Sequence, residues 1–328
     1  VVRRGRRRSP IDTGASRSSD ATVTEPPTKV IELSICISYY DAPDYLSRCL
    51  NSIRNSDTRC NYEILVVDDA SPRSCTEAVT AVFPEARVIV NSENLGYAKA
   101  NNLLINTAAG HFVLVLNCDT QVLPGALDAM VAYLKKHPAA GAVGPKVLND
   151  DGTLQPQCRR GFLSPLSSFA YSVGLDRLFP HNRALGEYLL RYANPEETHE
   201  VQSLSGACMM VRREVIQQLG AFDETLVQYS EDLDWCYRIA AADWCVVYLP
   251  KAEVIHSGGK GGTNIRFFRS LYYYHRNPWI IFCRYPRNRF FPLYGWLIAL
   301  MVLARFSTAS LRLLWGERRV GTRKGSAH

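Results

Sequence analysis

Acidic residues gather at four places in this 328-residue sequence where they could do chemistry. Three of these places close short apolar runs: Ser38-Tyr39-Tyr40-Asp41, Asp68-Asp69-Ala70-Ser71 and Asn117-Cys118-Asp119-Thr120. Asp68 and Asp69 can accept hydrogen bonds from the imide N–H of a uracil or thymine, with Tyr40 stacked on the ring. Asp119 can ligate a hard divalent cation, Mg2+ or Mn2+, that bridges a diphosphate. The alternative use of an Asp at such a point is to cap the helix that follows. The fourth cluster, Glu231-Asp232-Leu233-Asp234, opens a helical pattern, where the macrodipole favours acids. Further on, Gly258-Gly259-Lys260-Gly261-Gly262 sets four glycines around one cation. Such a loop can close over a diphosphate, offering backbone N–H groups and Lys260, or it can be a plain surface turn.

The elements that must position these residues follow from the apolar periodicity. Leu33–Tyr39, Tyr62–Asp68, 87–91 and Phe112–Asn117 are short and rich in β-branched residues, as buried strands are. Between them, 43–55, 74–82 and 96–108 are long enough for crossover helices. The alternation predicts an α/β fold with a mostly parallel sheet and helices on both faces. In such a sheet ligands bind beyond the carboxyl ends of the strands, where three of the acidic clusters fall. No Gly-x-Gly-x-x-Gly follows the first strand, which excludes a nicotinamide-binding domain, and no Gly-Lys-Ser/Thr supports a P-loop. The Gly-rich opening of a sugar nucleotidyltransferase is missing as well. Segment 151–200 is expected as a loop-rich excursion. Order resumes with an apolar run at 207–211, helices near 213–219 and 233–242, and strands near 245–256.

At 47% hydrophobic the chain can bury a large core, which excludes disordered, collagenous and disulfide-stapled classes. Its net charge of +7 is unevenly placed. Residues 1–8 carry five Arg, and 279–328 carry nine Lys/Arg against Glu317, so the body from 9 to 278 is net −6. That body offers no nucleic-acid footprint. The Arg-rich start runs into a polar Ser/Thr/Pro stretch and predicts a disordered segment over 1–29 without a secretory leader. Ten scattered Cys with no Cys-x-x-Cys are expected as reduced thiols of a cytoplasmic protein. Residues 290–304 form an uncharged run shorter than the ~20 residues that span a bilayer. Arg flanks it on both sides, which fits a membrane-surface helix over 284–328; a core helix or a homo-oligomer face is the alternative. The Tyr/Arg-rich stretch 269–276 is expected to pack and to lie near that surface.

YEILVVDDAS (62–71), NSENLGYAKANN (91–102), LNCDT (116–120), SGACMMVRREV (205–215), EDLDWCYR (231–238) and His256, in this order, resemble glycosyltransferase family 2. Within it they look most like bacterial rhamnosyltransferases of O-antigen and cell-wall polysaccharide assembly. The resemblance covers 30–283 and implies an inverting enzyme of the GT-A fold, with a nucleotide-binding half at 30–120 and an acceptor and catalytic half at 121–283. It implies that Ser38, Tyr40, Asp68, Asp69 and Gly96 contact the donor nucleotide, with Asn117 and Lys260 also on the donor side. Asp119 matches the last Asp of the family's Asp-x-Asp motif; the first is Asn117 here, a neutral oxygen donor. His256 matches a metal-binding His of some members. Asp232 matches the catalytic base, with Glu231 beside it.

The implied reaction moves a sugar, best guessed as L-rhamnose from dTDP-L-rhamnose, onto a glycan or lipid-linked acceptor at the inner face of the membrane. A UDP-hexose or UDP-galactofuranose donor is the alternative within the family. A non-catalytic scaffold of a polysaccharide-assembly complex is the alternative outside it.

Overall fold

A computed structural model describes residues 30–162, 164–259, 267–285 and Ser307. The chain divides into two units, Val1–Val30 and Ile31–His328, and the elements below belong to the second. The expected membrane-surface segment at 290–304 and the Lys260–Gly262 part of the glycine loop lie outside the described residues.

The first half alternates as the periodicity predicts: β1 (Leu33–Tyr39), α1 (Pro43–Arg54), β2 (Tyr62–Asp68), α2 (Thr76–Val82), β3 (Arg87–Val90), α3 (Tyr97–Thr107) and β4 (Phe112–Asn117). These strands run parallel in the order β3-β2-β1-β4. Ile35, Ile37, Val66, Leu114 and Leu116 are fully enclosed. Helix α1 shows why the layer closes: Leu46, Cys49, Leu50 and Ile53 fall at helical spacing and are all buried.

Next come β5 (Thr120–Val122), α4 (Ala126–Lys136) and β6 (Ala140–Leu148). Segment 151–200 departs from the loop expected there. After β7 (Arg159–Arg160) it forms α5 (Pro165–Val173), α6 (Leu175–Leu178) and α7 (Arg183–Gly186). The start of α5 explains the difference: Ser164 and Ser167 form a reciprocal capping box, with Pro165 in the first turn. Then follow β8 (His199–Glu200), β9 (Ser203–Leu204), β10 (Cys208–Arg212), α8 (Arg213–Leu219), α9 (Glu231–Ala241), β11 (Cys245–His256) and α10 (Phe267–Arg284). Strand β10 inserts between β4 and β6 and is antiparallel to both, so the mostly parallel sheet becomes mixed beyond β4. Its side of the sheet continues through β6 and β11 to β5. None of the ten Cys is in a disulfide. No described helix is long and apolar enough to cross a membrane.

Helix α10 packs across the loop before α9. Ile281 joins Leu226 and Leu233 in a small apolar cluster. Asn277, fully buried, donates both amide hydrogens, to the carbonyls of Gln228 (2.8 Å) and Tyr229 (2.9 Å). Tyr229 and Ser230 are left-handed at φ 67° and 70°, a conformation that non-glycine residues hold only when their surroundings enforce it. Asn277 is part of that enforcement. Asn277→Ala leaves two carbonyls without their donors and is expected to lower stability by about 2 kcal/mol in urea unfolding. Asn277→Asp is expected to be worse than Ala, because it turns a carboxylate oxygen toward a carbonyl.

Candidate functional site

The carboxyl ends of β1, β2 and β4 lie side by side, and the loops after them are fixed by carboxylates. Asp68, fully buried at the end of β2, accepts from the backbone N–H of Ser71 and of Cys75, both at 2.9 Å. Both of its oxygens are therefore engaged by the turn that leads into α2, the capping use of such an Asp. Asp69 holds a second loop: Oδ1 accepts from the Asn91 amide (2.9 Å) and the Leu95 N–H (2.8 Å), and Oδ2 from the Gly96 N–H (2.9 Å). Its own N–H donates to the carbonyl of Tyr39, which sets the strand end beside the half-buried Tyr40. Ser38 Oγ accepts from Asn101 at 3.2 Å.

Gly96 is required by position as well as by conformation. Its φ is 88°, and a Cβ there would stand 2.5 Å from Val227 Cγ1. The close approach in this structure is thus to the loop that precedes α9, and Ala98 N–H bonds the Val227 carbonyl.

A polar corner forms where β4 meets the end of β11. His256 Nδ1 lies 3.0 Å from Gln155 Oε1, an acceptor, which orients the ring with Nε2 toward β4. Nε2 faces Asp119 Oδ1 at 3.2 Å and the Asn117 amide nitrogen at 3.3 Å. A carboxylate and an imidazole nitrogen so close together are ligand types that a divalent cation could share. No group of three or more His, Cys, Asp or Glu surrounds them among the described residues, so further ligands would come from elsewhere.

One residue, Gly206, joins this corner to the acidic cluster through its two flanking peptide groups. The Tyr97 hydroxyl lies 2.9 Å from both Asn117 Oδ1 and the Gly206 carbonyl. Burial, and then the charges of Glu231, Asp232 and Asp119, push that hydroxyl well above its ordinary pKa, so it remains a donor. On its other side the Gly206 N–H donates to Asp232 Oδ2 at 2.9 Å. Arg160 binds the same oxygen at 2.6 Å, and Leu233 N–H binds Oδ1 at 2.7 Å. Three donors thus converge on Asp232. Glu231 is the opposite case: buried, its Oε2 has no hydrogen-bond partner among the described residues. Burial, and then the charge of Asp232, raise its pKa far above the usual carboxylate range. The two neighbouring carboxyl groups therefore sit in different environments, one held by three donors and one buried with an oxygen unpartnered among the described residues.

The structure brings Asp119, Asn117 and His256 together, and Glu231 and Asp232 together. Lys260 is outside the described residues. Sequence reasoning missed Arg160, Gln155 and Tyr97, and assigned Asp234 to a helix-dipole role. Asp234 is fully buried and accepts from Arg238, Arg284 and the Tyr285 hydroxyl. The Arg238 part was open to reading, at the i,i+4 spacing; nothing local announces the other two.

The sequence profile of Glycosyl transferase family 2 matches residues 34–220. The chain belongs to glycosyltransferase family 2. It is 32% identical over 233 residues to N-acetylglucosaminyl-diphospho-decaprenol L-rhamnosyltransferase of Mycobacterium tuberculosis, covering 68% of this chain and 74% of that protein. It is 29% identical to the O-antigen biosynthesis protein RfbC of Myxococcus xanthus, over 69% of this chain and 17% of that much longer protein. In structure the glycosyltransferase is similar to GalNAc-T7 solved with UDP, GalNAc and Mn2+ (TM-score 0.52, 17% identity, 70% of this chain and 44% of that one). It is also similar to residues 1–349 of S. aureus TarS (TM-score 0.51, 15% identity, 83% and 69%). These are likenesses of fold, and they match the GT-A architecture expected for the glycosyltransferase.

The Glu231 pKa sets a pH dependence of stability. The folded chain keeps this proton over a range where the unfolded chain, with an ordinary Glu pKa of about 4.3, has lost it. The folded state then binds more protons, so this group lowers stability as pH rises above that value. Glu231→Gln removes the term. Its stability relative to the unsubstituted chain is expected to rise steadily from about pH 4 to pH 8, read by urea unfolding; a difference that is flat with pH would contradict the assignment.

Proposed function

We propose that this glycosyltransferase performs an inverting, metal-assisted transfer of a sugar from a nucleoside diphosphate to a hydroxyl of a glycan or lipid-linked acceptor in bacterial polysaccharide synthesis. The favoured donor is dTDP-L-rhamnose. The observation that carries the reading is the Gly206 backbone, whose carbonyl meets Tyr97 beside the Asp119–His256 corner and whose N–H holds Asp232. A donor diphosphate at that corner and an acceptor at Asp232 would then lie on two sides of one sugar. Similarity to a rhamnosyltransferase at 32% identity supports the choice of sugar.

In this reading the nucleotide base lies by Tyr40 and the Asp69 loop, with Ser38 and Gly96 shaping its floor and Asp68 holding the turn. Lys260 and Asn117 serve the phosphates. A divalent cation, Mg2+ or Mn2+, held by Asp119 and His256 would offset charge developing on the leaving diphosphate. Asp232 accepts the proton of the attacking hydroxyl, so Arg160 and the Gly206 N–H must yield part of their hold on it. Glu231, neutral, donates a hydrogen bond to a sugar hydroxyl. Residues 284–328 hold the enzyme peripherally on the inner face of the cell membrane, with a homo-oligomer as the other use of that segment.

Uracil and thymine present the same imide edge, so a UDP-hexose or UDP-galactofuranose donor is the second reading. Calorimetry of the full chain against UDP-, GDP- and dTDP-sugars, with Mg2+ or Mn2+, separates the two. Absence of binding and turnover with every donor would favour a scaffold.

Two substitutions test the roles. Asp232→Asn is expected to keep donor affinity while turnover falls ~10²–10⁴-fold. Thermal unfolding is measured alongside, because Arg160 loses its counter-ion; near-normal turnover would refute the base. Asp119→Ala is expected to lose most metal-dependent donor binding, and His256→Ala less of it, since one neutral ligand goes rather than a charge. Titration of donor with and without Mn2+ reads both.

A further inference from the structure

The excursion between β6 and β10 presents a surface that the chemistry above does not use. On α5, Leu166, Phe169 and Val173 are three and four residues apart and share a helix face. They are 50%, 44% and 54% exposed. The rest of α5 docks through Pro165, Ser167 and Ala170, all buried. Gly174, left-handed at φ 82°, turns the chain into α6, where Leu178 and Phe179 are 69% and 50% exposed. Single exposed apolar side chains are ordinary; five large ones on one short excursion mark a site of contact.

The charge there runs against that of the rest of the body. Residues 159–192 carry five Arg against Asp176 and Glu187, whereas the whole stretch from 9 to 278 is net −6. Both acids are occupied within the excursion. Asp176 is buried and paired with Arg191 at 2.6 Å, and Glu187 accepts from the Tyr192 hydroxyl at 2.9 Å. Arg177, His181 and Arg183 are exposed. Apolar side chains among cations on an otherwise acidic body complement an anionic headgroup layer with hydrocarbon beneath it.

We infer that α5–α7 is a lipid-docking face, which seats its exposed Leu, Phe and Val side chains in the boundary of an anionic bilayer while Arg177 and Arg183 meet headgroup phosphates. The same excursion carries Arg160, bonded to Asp232, and Phe162, whose ring lies 4.5 Å from that of Tyr237 on α9. A bilayer at this face would therefore lie on the acceptor side of the site, a clause that rests on the functional reading above; the docking itself does not.

The test uses the full chain with Phe169→Glu and Leu178→Glu together, neither residue belonging to the proposed site. Co-flotation with mixed phosphatidylglycerol–phosphatidylcholine vesicles is expected to fall severalfold, to the level that residues 284–328 sustain by themselves. The unsubstituted chain should bind those vesicles, and bind pure phosphatidylcholine or high-salt mixtures far less. The thermal midpoint and donor binding should not change. Unaltered flotation of the double variant overturns the proposal. So does a fall in the thermal midpoint, which would mean that the chain itself covers this face, or loss of a dimer seen by sedimentation velocity, which would mean that a second copy does. If flotation behaves as expected while no donor is bound or turned over, the functional reading fails and the docking face stands.

Discussion

The buried ion pair between Arg160 and Asp232 is the constraint on which the site depends. Both side chains are only 11% exposed, and two charged side chains so enclosed are tolerable when they are paired and hydrogen-bonded. Asp232 satisfies this with donors from three separate stretches: Arg160 from the excursion, Gly206 from the turn into β10, and Leu233 from its own helix. Arg160 in turn donates to the Leu204 carbonyl at 2.6 Å. Removing one partner would strand the other charge at a cost of about 3–5 kcal/mol. The pair therefore fixes the excursion to the sheet and α9 to both. An unpaired carboxylate would be more basic but could not hold these three stretches in place.

The start of α9 is held equally firmly from outside. Asp234, one helical turn into α9, is the hub for Arg238, Arg284 and Tyr285, and Tyr285 stacks on Tyr237 at 3.8 Å between centroids. Asn277 fixes the left-handed Tyr229–Ser230 turn that precedes Glu231. Because α10 supplies these contacts, the geometry of the acidic pair depends on chain beyond residue 220, where the family profile ends. The backbone strain sits next to the two carboxylates whose environments differ most, which fits strain held in place for function.

The parallel half of the sheet was legible because β1, β2 and β4 are buried on both faces and read as continuous apolar runs. The strand-end acids were legible for the same reason, since the topology fixes where the runs stop. Asp68 shows the limit of that logic. A carboxylate at a strand end can face a ligand or cap the next helix, and only the positions of Ser71 and Cys75 reveal that its oxygens are engaged by the turn. The excursion was obscure because its helices α6 and α7 are four residues each, too short to establish a period. Arg160 was invisible for a different reason. It is 72 residues from Asp232, and a long-range ion pair leaves no spacing in a single sequence.

The charges gathered around Tyr97 bear on what the proposed donor requires. Glu231, Asp232 and Asp119 all act on its hydroxyl. The neutral state of Glu231 removes one of these charges, and Arg160 balances a second. Asp119 faces His256 Nε2 at 3.2 Å, so this corner still presents a carboxylate to the site. A diphosphate brought there adds negative charge to negative charge in a partly enclosed site, where screening by water is weak. A divalent cation held by Asp119 and His256 would reverse the sign of that interaction. Asn117, in place of the motif's first Asp, adds no further charge to this corner: its amide nitrogen faces His256 Nε2 and its oxygen accepts from the Tyr97 hydroxyl.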